Sequence, residues 1–419
     1  MDLIHYLNNS LITDNTKELD SNKLFLKTSQ NSKYAKDIKN YITPKELLKS
    51  LNLKTKFIGI TGTNGKTTTA FVLGYLLNSL GYSVGIQGTE GFYFNGELKE
   101  PKTLTTPPIF TTIKRAFKYK PDFYIMEVSS HAIVQDRIEG LEFEAKIMTS
   151  FSQDHLDFHK SMEEYKQVKE SFFQDDSIKI INGKWKMENG KLIIVNVGGY
   201  NFKVNPNNLY VLEKPIVDDI PMAGEFNKMN FSLALKTASL LTNSSLSTFD
   251  FSLFKGVAGR MEIVSKDPLV IIDFAHTPDG MEKVLSAVEG KKIVVFGAGG
   301  NRDKDKRHLM GEVASKYADY IIVTNDNPRC ENPQDIAKDI IKGISKPYEV
   351  ILDRKEAIKK ALKLAKEKNM TLMILGKGDE KYMELCDKKI PFSDKEAVFE
   401  VISWNCDKIS NKIFDLILI

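Results

Sequence analysis

The sequence predicts an α/β protein built on doubly wound parallel sheets, and three observations carry that reading. Apolar runs of strand length alternate with helical stretches from Lys56 onward, the glycine-rich junction "IGITGTNGKTTTAF" closes the first run, and a second alternation follows Gly259. Strands that alternate with helices imply parallel pairing with helices on both faces. With 419 residues the chain exceeds the size at which a single core keeps growing, so two or three domains are expected.

The first fifty residues are rich in lysine and asparagine, with one strand-like run, "KLFL", and a helix expected from Thr43, where "TPKE" places a capping residue before proline. That is a small lobe. Then come "KFIGIT" as a strand, Lys66 to Leu80 as a helix, "SVGIQG" as a strand, a helix near Ile109 to Tyr119 and the apolar strand "DFYIMEVSS". Between Ile178 and Lys214, short β-prone runs broken by glycine and asparagine read as an inserted β-rich patch. The second alternation runs "LVIIDFAH", helix, "KKIVVFGAGG", helix, "YIIVTNDNP", helix, "TLMILGKGD". It reads as a separate α/β domain beginning near residue 257. The terminal "KIFDLILI" is expected to be a packing strand.

Composition excludes several function classes. Lys plus Arg number 59 against 55 Asp plus Glu, formally +4, so no global basic field points to nucleic acid or to an anionic membrane. No apolar run approaches the ~18 residues of a membrane span, and "MDLIHYLNNSLITD" lacks a basic leader, so a cytoplasmic protein is expected. Cys330, Cys386 and Cys406 lie far apart without a C-x-x-C spacing, which predicts neither a disulfide nor cysteine-bound zinc.

A strand, a glycine-rich turn and a helix N-terminus aim several backbone N–H groups at one point, which suits a phosphate. Gly62, Thr63, Asn64, Gly65, Lys66, Thr67 and Thr68 form that junction, with Lys66 suited to the β and γ phosphates and the Thr67 hydroxyl to magnesium. The spacing departs from the strict phosphate-loop form, because Ile60 stands five before Gly65 and the glycine sits at Gly62. Glu127 ends an apolar strand, where it can hold magnesium or remain solvated. The glycines of "VVFGAGGNR" superficially suggest a dinucleotide fingerprint, but the third position is Arg302, so NAD is not expected.

The segment "SQDHLDFHKSMEEYKQVKESFF" reads as a loop bearing His155, Asp157 and His159, then a helix. At about 100° per residue, Tyr165, Val168 and Phe172 form a buried stripe and Lys169 lies on its edge. A lysine facing the core needs a partner, a shifted pKa or chemical modification; alternatively it extends its stem and exposes its head. The two histidines are equally compatible with capping or core packing.

"TGTNGKTTT", "TLTTPP", "MEVSSHAIVQDR", "DHLDFHKSMEEYKQVK", "GEFNKMN", "GRME", "DFAHTPD" and "DNPRCENP" occur in the order and approximate spacing of the Mur ligases. The set most resembles the MurE type, which adds the third peptide residue to the UDP-N-acetylmuramoyl-dipeptide precursor of peptidoglycan. The resemblance spans residues 55 to 385 and implies three domains: a shortened UDP-binding lobe at 1–50, a central phosphate-loop ATPase domain at 51–256, and a C-terminal amino-acid-binding, Rossmann-like domain at 257–419. It implies ATP and two magnesium ions, with Thr67, Glu127, His155 and a CO2-derived carbamate on Lys169 as metal ligands. It further implies catalytic roles for Lys66, Lys169, Glu127 and His155. Thr105, Thr106, Ser129, Gln135 and Arg137 match positions that hold the UDP-MurNAc-dipeptide; Asn227, Arg260, Asp273 and His276 match ATP-facing positions.

"DNPR" resembles the meso-diaminopimelate signature, with Arg302, Asn327, Arg329, Gly376 and Glu380 around the amino acid. Where the family has "GKGHE", this sequence has Asp379. The implied reaction is ATP-dependent ligation of meso-diaminopimelate to the D-glutamyl carboxylate through an acyl phosphate, by a monomer acting on small molecules. A lysine-adding or folate-type glutamate ligase shares the central fold, and a phosphate-loop switch or kinase is the alternative from another class.

Overall fold

The computed structural model describes residues 11–402 apart from 102–103, 157, 189–191 and 387. The expected terminal strand "KIFDLILI" and Asp157 therefore lie outside the described residues. The chain forms two compact units, one of residues 1–152, 158–220 and 227–254, the other of 153–157, 221–226 and 255–419.

The first unit is organised by an eight-stranded sheet in the order Leu209–Leu212, Ile178–Asn182, Phe143–Met148, Lys56–Thr61, Phe123–Glu127, Val84–Gly88, Gly91–Phe94 and Glu97–Glu100. The first six run parallel and the last two join antiparallel. Lys56–Thr61 is flanked by parallel partners on both edges and is apolar from Phe57 to Ile60, as a strand covered on both faces must be. The Lys66–Ser79 helix leaves the end of that strand. The region 178–214 is not one insertion: its first and last strands extend the main sheet, and only the antiparallel meander Lys184–Glu188, Leu192–Val197, Tyr200–Val204 stands apart. The break-rich composition that marks the meander does not reveal that the apolar runs flanking it pair with each other.

The N-terminal lobe is a three-stranded parallel sheet of Leu11–Thr13, Lys23–Leu26 and Tyr41–Ile42. Thr43 and Glu46 form a reciprocal capping box at the start of the Pro44–Leu51 helix. Ile12, Leu26, Ile42, Leu47 and Leu51 share one cluster with Ile109, Phe110 and Ile113 of the Ile109–Tyr119 helix.

In the second unit a six-stranded sheet runs Glu262–Lys266, Leu269–Asp273, Thr371–Leu375, Lys292–Phe296, Tyr320–Val323, Tyr348–Val350, parallel except for the first edge strand. Its core is Val270, Ile272, Ile293, Val295, Ile322, Leu372 and Ile374 under the Arg354–Lys368 helix. Cys330 and Cys386 are disulfide-bonded, which corrects the expectation of none. Spacing could not show it, because backbone bonds from Arg329 N to Glu384 O and from Cys386 N to Arg329 O draw two distant loops together.

Candidate functional site

The phosphate-loop junction is shaped by two glycines that no other residue could replace without rearrangement. Gly62 has φ +144° and a Cβ there would lie 2.1 Å from Thr149 Oγ1; Gly65 has φ +88° and its Cβ would lie 2.4 Å from Asn230 Oδ1. The loop is held from below: Asn64 N donates to Ser150 Oγ, and Thr149 Oγ1 and Ser150 Oγ donate to Asn64 O. Lys66 Nζ donates to Gly62 O at 2.8 Å and Thr63 O at 2.9 Å, which keeps its ammonium over the mouth of the loop. Thr68 is buried in the first helical turn. Asn227 Oδ1 accepts from Asn230 Nδ2, so the "GEFNKMN" helix ties Asn227 to the asparagine that lies beside Gly65. Asn230 was missed by sequence reasoning, although it lies within a matched motif.

Glu127 lies at the carboxyl end of the neighbouring strand, buried, with Thr67 Oγ1 donating to its Oε1 at 2.9 Å. Thr89 also donates to it, through N and Oγ1. A Cβ at Gly88 would fall 2.1 Å from Glu127 Oε1, so the glycine makes room for the carboxylate. Oxygen donors from one carboxylate and one hydroxyl fit magnesium, which keeps waters and phosphate oxygens for its other positions. Among the described residues no group of three or more His, Cys, Asp and Glu could hold a metal.

The expected dipeptide-binding residues gather next to Glu127. Thr106 Oγ1 donates to Glu127 O and accepts from Ser129 N, Thr105 Oγ1 lies 3.3 Å from Thr89 Oγ1, and Arg137 reaches both Thr106 O and the Gln135 amide oxygen. Ser129 caps the short Ser130–Val134 helix through Ala132 N. Lys169 is 1% exposed, its Nζ donating to Thr61 Oγ1 at 3.0 Å and standing 5.0 Å from the Tyr165 ring centre. The buried ridge of its helix is therefore Tyr165 and Lys169, one turn apart, while Val168, expected in the stripe, is half-buried. His159 is a core histidine, its Nε2 2.9 Å from Ser130 Oγ.

The second unit brings its residues to the carboxyl ends of its strands, where open α/β sheets bind ligands. Asp273 ends one strand and accepts from Met261 N and Ala275 N at 2.7 Å each; burial raises its pKa, opposed by Arg260. Arg260 stacks over Phe274 at 4.3 Å. His276 holds Phe274 O through Nδ1, and burial, with Lys306 nearby, lowers its pKa. His155, at φ +58°, lies in the 153–157 segment of this unit, with Nε2 3.5 Å from Asp154. Burial works against the Asp154 charge, yet His155, Lys306 and His276 together hold its carboxyl below the usual range.

Gly300 N donates to Asn327 O and Arg329 donates to Gly300 O, so the "GAGGNR" and "DNPR" loops are laced together. The glycines serve that packing: a Cβ at Gly300 would lie 1.9 Å from Pro328 O. Arg302 and Arg329 both border Gly299. Arg329 Nε is 3.1 Å from Glu384, and Asn327 Nδ2 donates to Glu380 Oε2 at 2.8 Å. Gly376, at φ +109°, donates through N to Asp273 O, and its missing Cβ leaves space over Asp326 Oδ2. That Asp326 oxygen is buried and has no hydrogen-bond partner among the described residues. Such an oxygen calls for a donor. Asp326 was missed, although "DNPR" contains it. Asp379, in place of the family's histidine, turns outward to pair with Lys381.

The chain is similar to known proteins over most of its length. The Mur ligase middle domain matches residues 60–238, and the Mur ligase, glutamate ligase domain matches residues 259–378. The UDP-N-acetylmuramoyl-L-alanyl-D-glutamate--2,6-diaminopimelate ligase of Helicobacter pylori strain J99 is 42% identical over 93% of this chain and 95% of its own length. The protein of the same name from Wolinella succinogenes is 41% identical over 93% of this chain and 96% of its own. A solved structure of that name aligns with TM-score 0.56 and 25% identity over 94% of each chain. A folylpolyglutamate synthase from Mycobacterium tuberculosis shares the fold, with TM-score 0.60 and 16% identity over 80% of this chain and 91% of its own. The chain belongs to the Mur ligase family.

Proposed function

We propose that the protein is an ATP-dependent ligase that joins meso-diaminopimelate to the D-glutamyl side-chain carboxylate of UDP-N-acetylmuramoyl-L-Ala-D-Glu. One set of contacts supports the choice of amine: Asn327 bonds Glu380, Arg302 and Arg329 both border Gly299, and Gly376 leaves space over the buried Asp326 oxygen. Diaminopimelate brings a second carboxylate, which an arginine fork can take bidentately, whereas lysine has none. Its ammonium groups match the acceptors Glu380 and Asp326. The names of the relatives agree with this reading.

In the first unit the loop N–H groups and Lys66 would cradle the ATP phosphates, and Thr67, Glu127 and a carbamylated Lys169 would hold magnesium. Bound there, magnesium supplies neutralisation of the phosphate charge. Carbamylation joins the Lys169 nitrogen to the carbon of CO2, replaces the buried cation by an anion and releases two protons. Arg137, Thr106 and Ser129 would orient the dipeptide. An oxygen of the glutamyl carboxylate attacks the γ-phosphorus and ADP leaves; the amine nitrogen then attacks the acyl carbon, phosphate leaves and the nitrogen loses a proton. Catalysis of this kind consists mainly of positioning and charge neutralisation. We place the protein in the cytoplasm, as a monomer, where the exposed Cys330–Cys386 pair would meet a reducing environment.

The test is phosphate release with ATP, magnesium and UDP-MurNAc-dipeptide, comparing meso-diaminopimelate, lysine and no amine. Stimulation by diaminopimelate is expected. Stimulation by lysine alone would overturn the reading.

A further inference from the structure

Lys377 belongs to none of the groups assigned so far, yet it is fully buried between Asn327 and Glu380. Its Nζ donates to Glu380 Oε2 at 2.9 Å and to Asn327 Oδ1 at 3.1 Å. The same Asn327 oxygen accepts from Glu384 N, and the Asn327 amide nitrogen donates to the same Glu380 oxygen. The three side chains thus close a ring of hydrogen bonds in which each member fixes the next. Two donors on Oδ1 determine which way the Asn327 amide faces, and the ammonium sets the charge balance around Glu380.

A buried cation is costly to desolvate, and a lysine placed only to fill the core would be better replaced by an apolar chain. Here both partners are groups that the reading of the pocket assigns to the incoming amino acid. We propose that Lys377 is a positioning residue for that amino acid: it holds Glu380 and Asn327 in the orientation that receives the ammonium-bearing end of the substrate. The inference rests on the pocket assignment made above.

Steady-state ligation by the full-length enzyme, with meso-diaminopimelate, ATP and UDP-MurNAc-dipeptide each varied in turn, tests it. Lys377→Met is expected to raise KM for diaminopimelate at least tenfold while kcat and KM for ATP stay within threefold. Lys377→Gln, which retains N–H donors without the charge, gives an intermediate rise and serves if the methionine variant fails to fold. Because Lys377 acts in part through Glu380, the rise in KM caused by Lys377→Gln should be at least threefold smaller in the Glu380→Gln background than in the natural protein. An unchanged KM for diaminopimelate, independent effects in the double variant, or a uniform fall in all parameters with a lowered Tm would each overturn the positioning role. Absence of diaminopimelate-dependent turnover in the unaltered protein would instead remove the pocket reading itself, and this assignment with it.

Discussion

Lys169 and Arg329 show how a single side chain's surroundings limit its chemistry. Lys169 is sealed in the first unit against Thr61 and Tyr165, so conversion to a carbamate would change the sign of a buried charge beside the phosphate loop. Lys169→Ala is expected to abolish ligation, with partial recovery on adding short carboxylic acids; full activity of that variant would refute the carbamate. Arg329 is held by Gly300 O and Glu384 and borders the same glycine as Arg302. A charge-assisted contact is worth about 1.5–3 kcal/mol. Arg329→Ala should therefore raise KM for diaminopimelate by about 10- to 100-fold and shrink its advantage over lysine, measured by competition between the two amines.

Loops at strand ends carry both sites, and each loop depends on one local device. In the phosphate loop that device is glycine: Gly65→Ala combines a strained φ with a clash against Asn230, a penalty of about 1–3 kcal/mol. At least a fivefold loss of nucleotide affinity is expected by calorimetric titration, with the loops around Arg302 and Arg329 untouched. In the second unit the device is an ion pair. Arg307, fully buried, forks onto Glu331, whose second oxygen also accepts from Asn301 N, so the loops bearing Arg302 and Arg329 are tied to one carboxylate. Arg307 holds the Glu331 pKa down at about 2, from an ordinary 4.5. A depressed folded pKa adds stability that is complete above about 4.5 and is lost as pH falls toward 2, on the order of 3 kcal/mol in all. The stability gap between the natural protein and Glu331→Gln, read from urea midpoints, should close over that window; a gap independent of pH would contradict the pairing.

The described residues form two units with their own hydrophobic cores, one around Tyr124, Phe143, Phe151 and Phe173, the other around Val270, Ile293 and Leu372. Separate cores melt separately unless strongly coupled. Scanning calorimetry should resolve two transitions, with Gly65→Ala lowering one and Glu331→Gln the other. Equal displacement of both by either variant would show a single cooperative body. The 153–157 segment, which clusters with the second unit although its neighbours in sequence belong to the first, makes His155 a reporter: its environment should follow the second transition.

What the sequence by itself determined is local. The alternation of apolar runs, the glycine pair before Lys66 and the Thr43 capping box are short-range signals, and strands, helices and the phosphate loop stand where those signals put them. Motif resemblance supplied the family and the residues to inspect. Tertiary structure alone decided the relations between distant segments. That the runs at 178 and 209 pair with each other is decided by the sheet; that Cys330 meets Cys386, that an Asp326 oxygen beside Gly376 has no hydrogen-bond partner among the described residues, and that Lys377 binds Glu380 and Asn327 are consequences of loops packed at sheet ends. Side-chain periodicity reports which face of an element is buried. It carries no information about which other element covers that face, and so the ring around Lys377 becomes visible only when the ends of Tyr320–Val323 and Thr371–Leu375 are brought together.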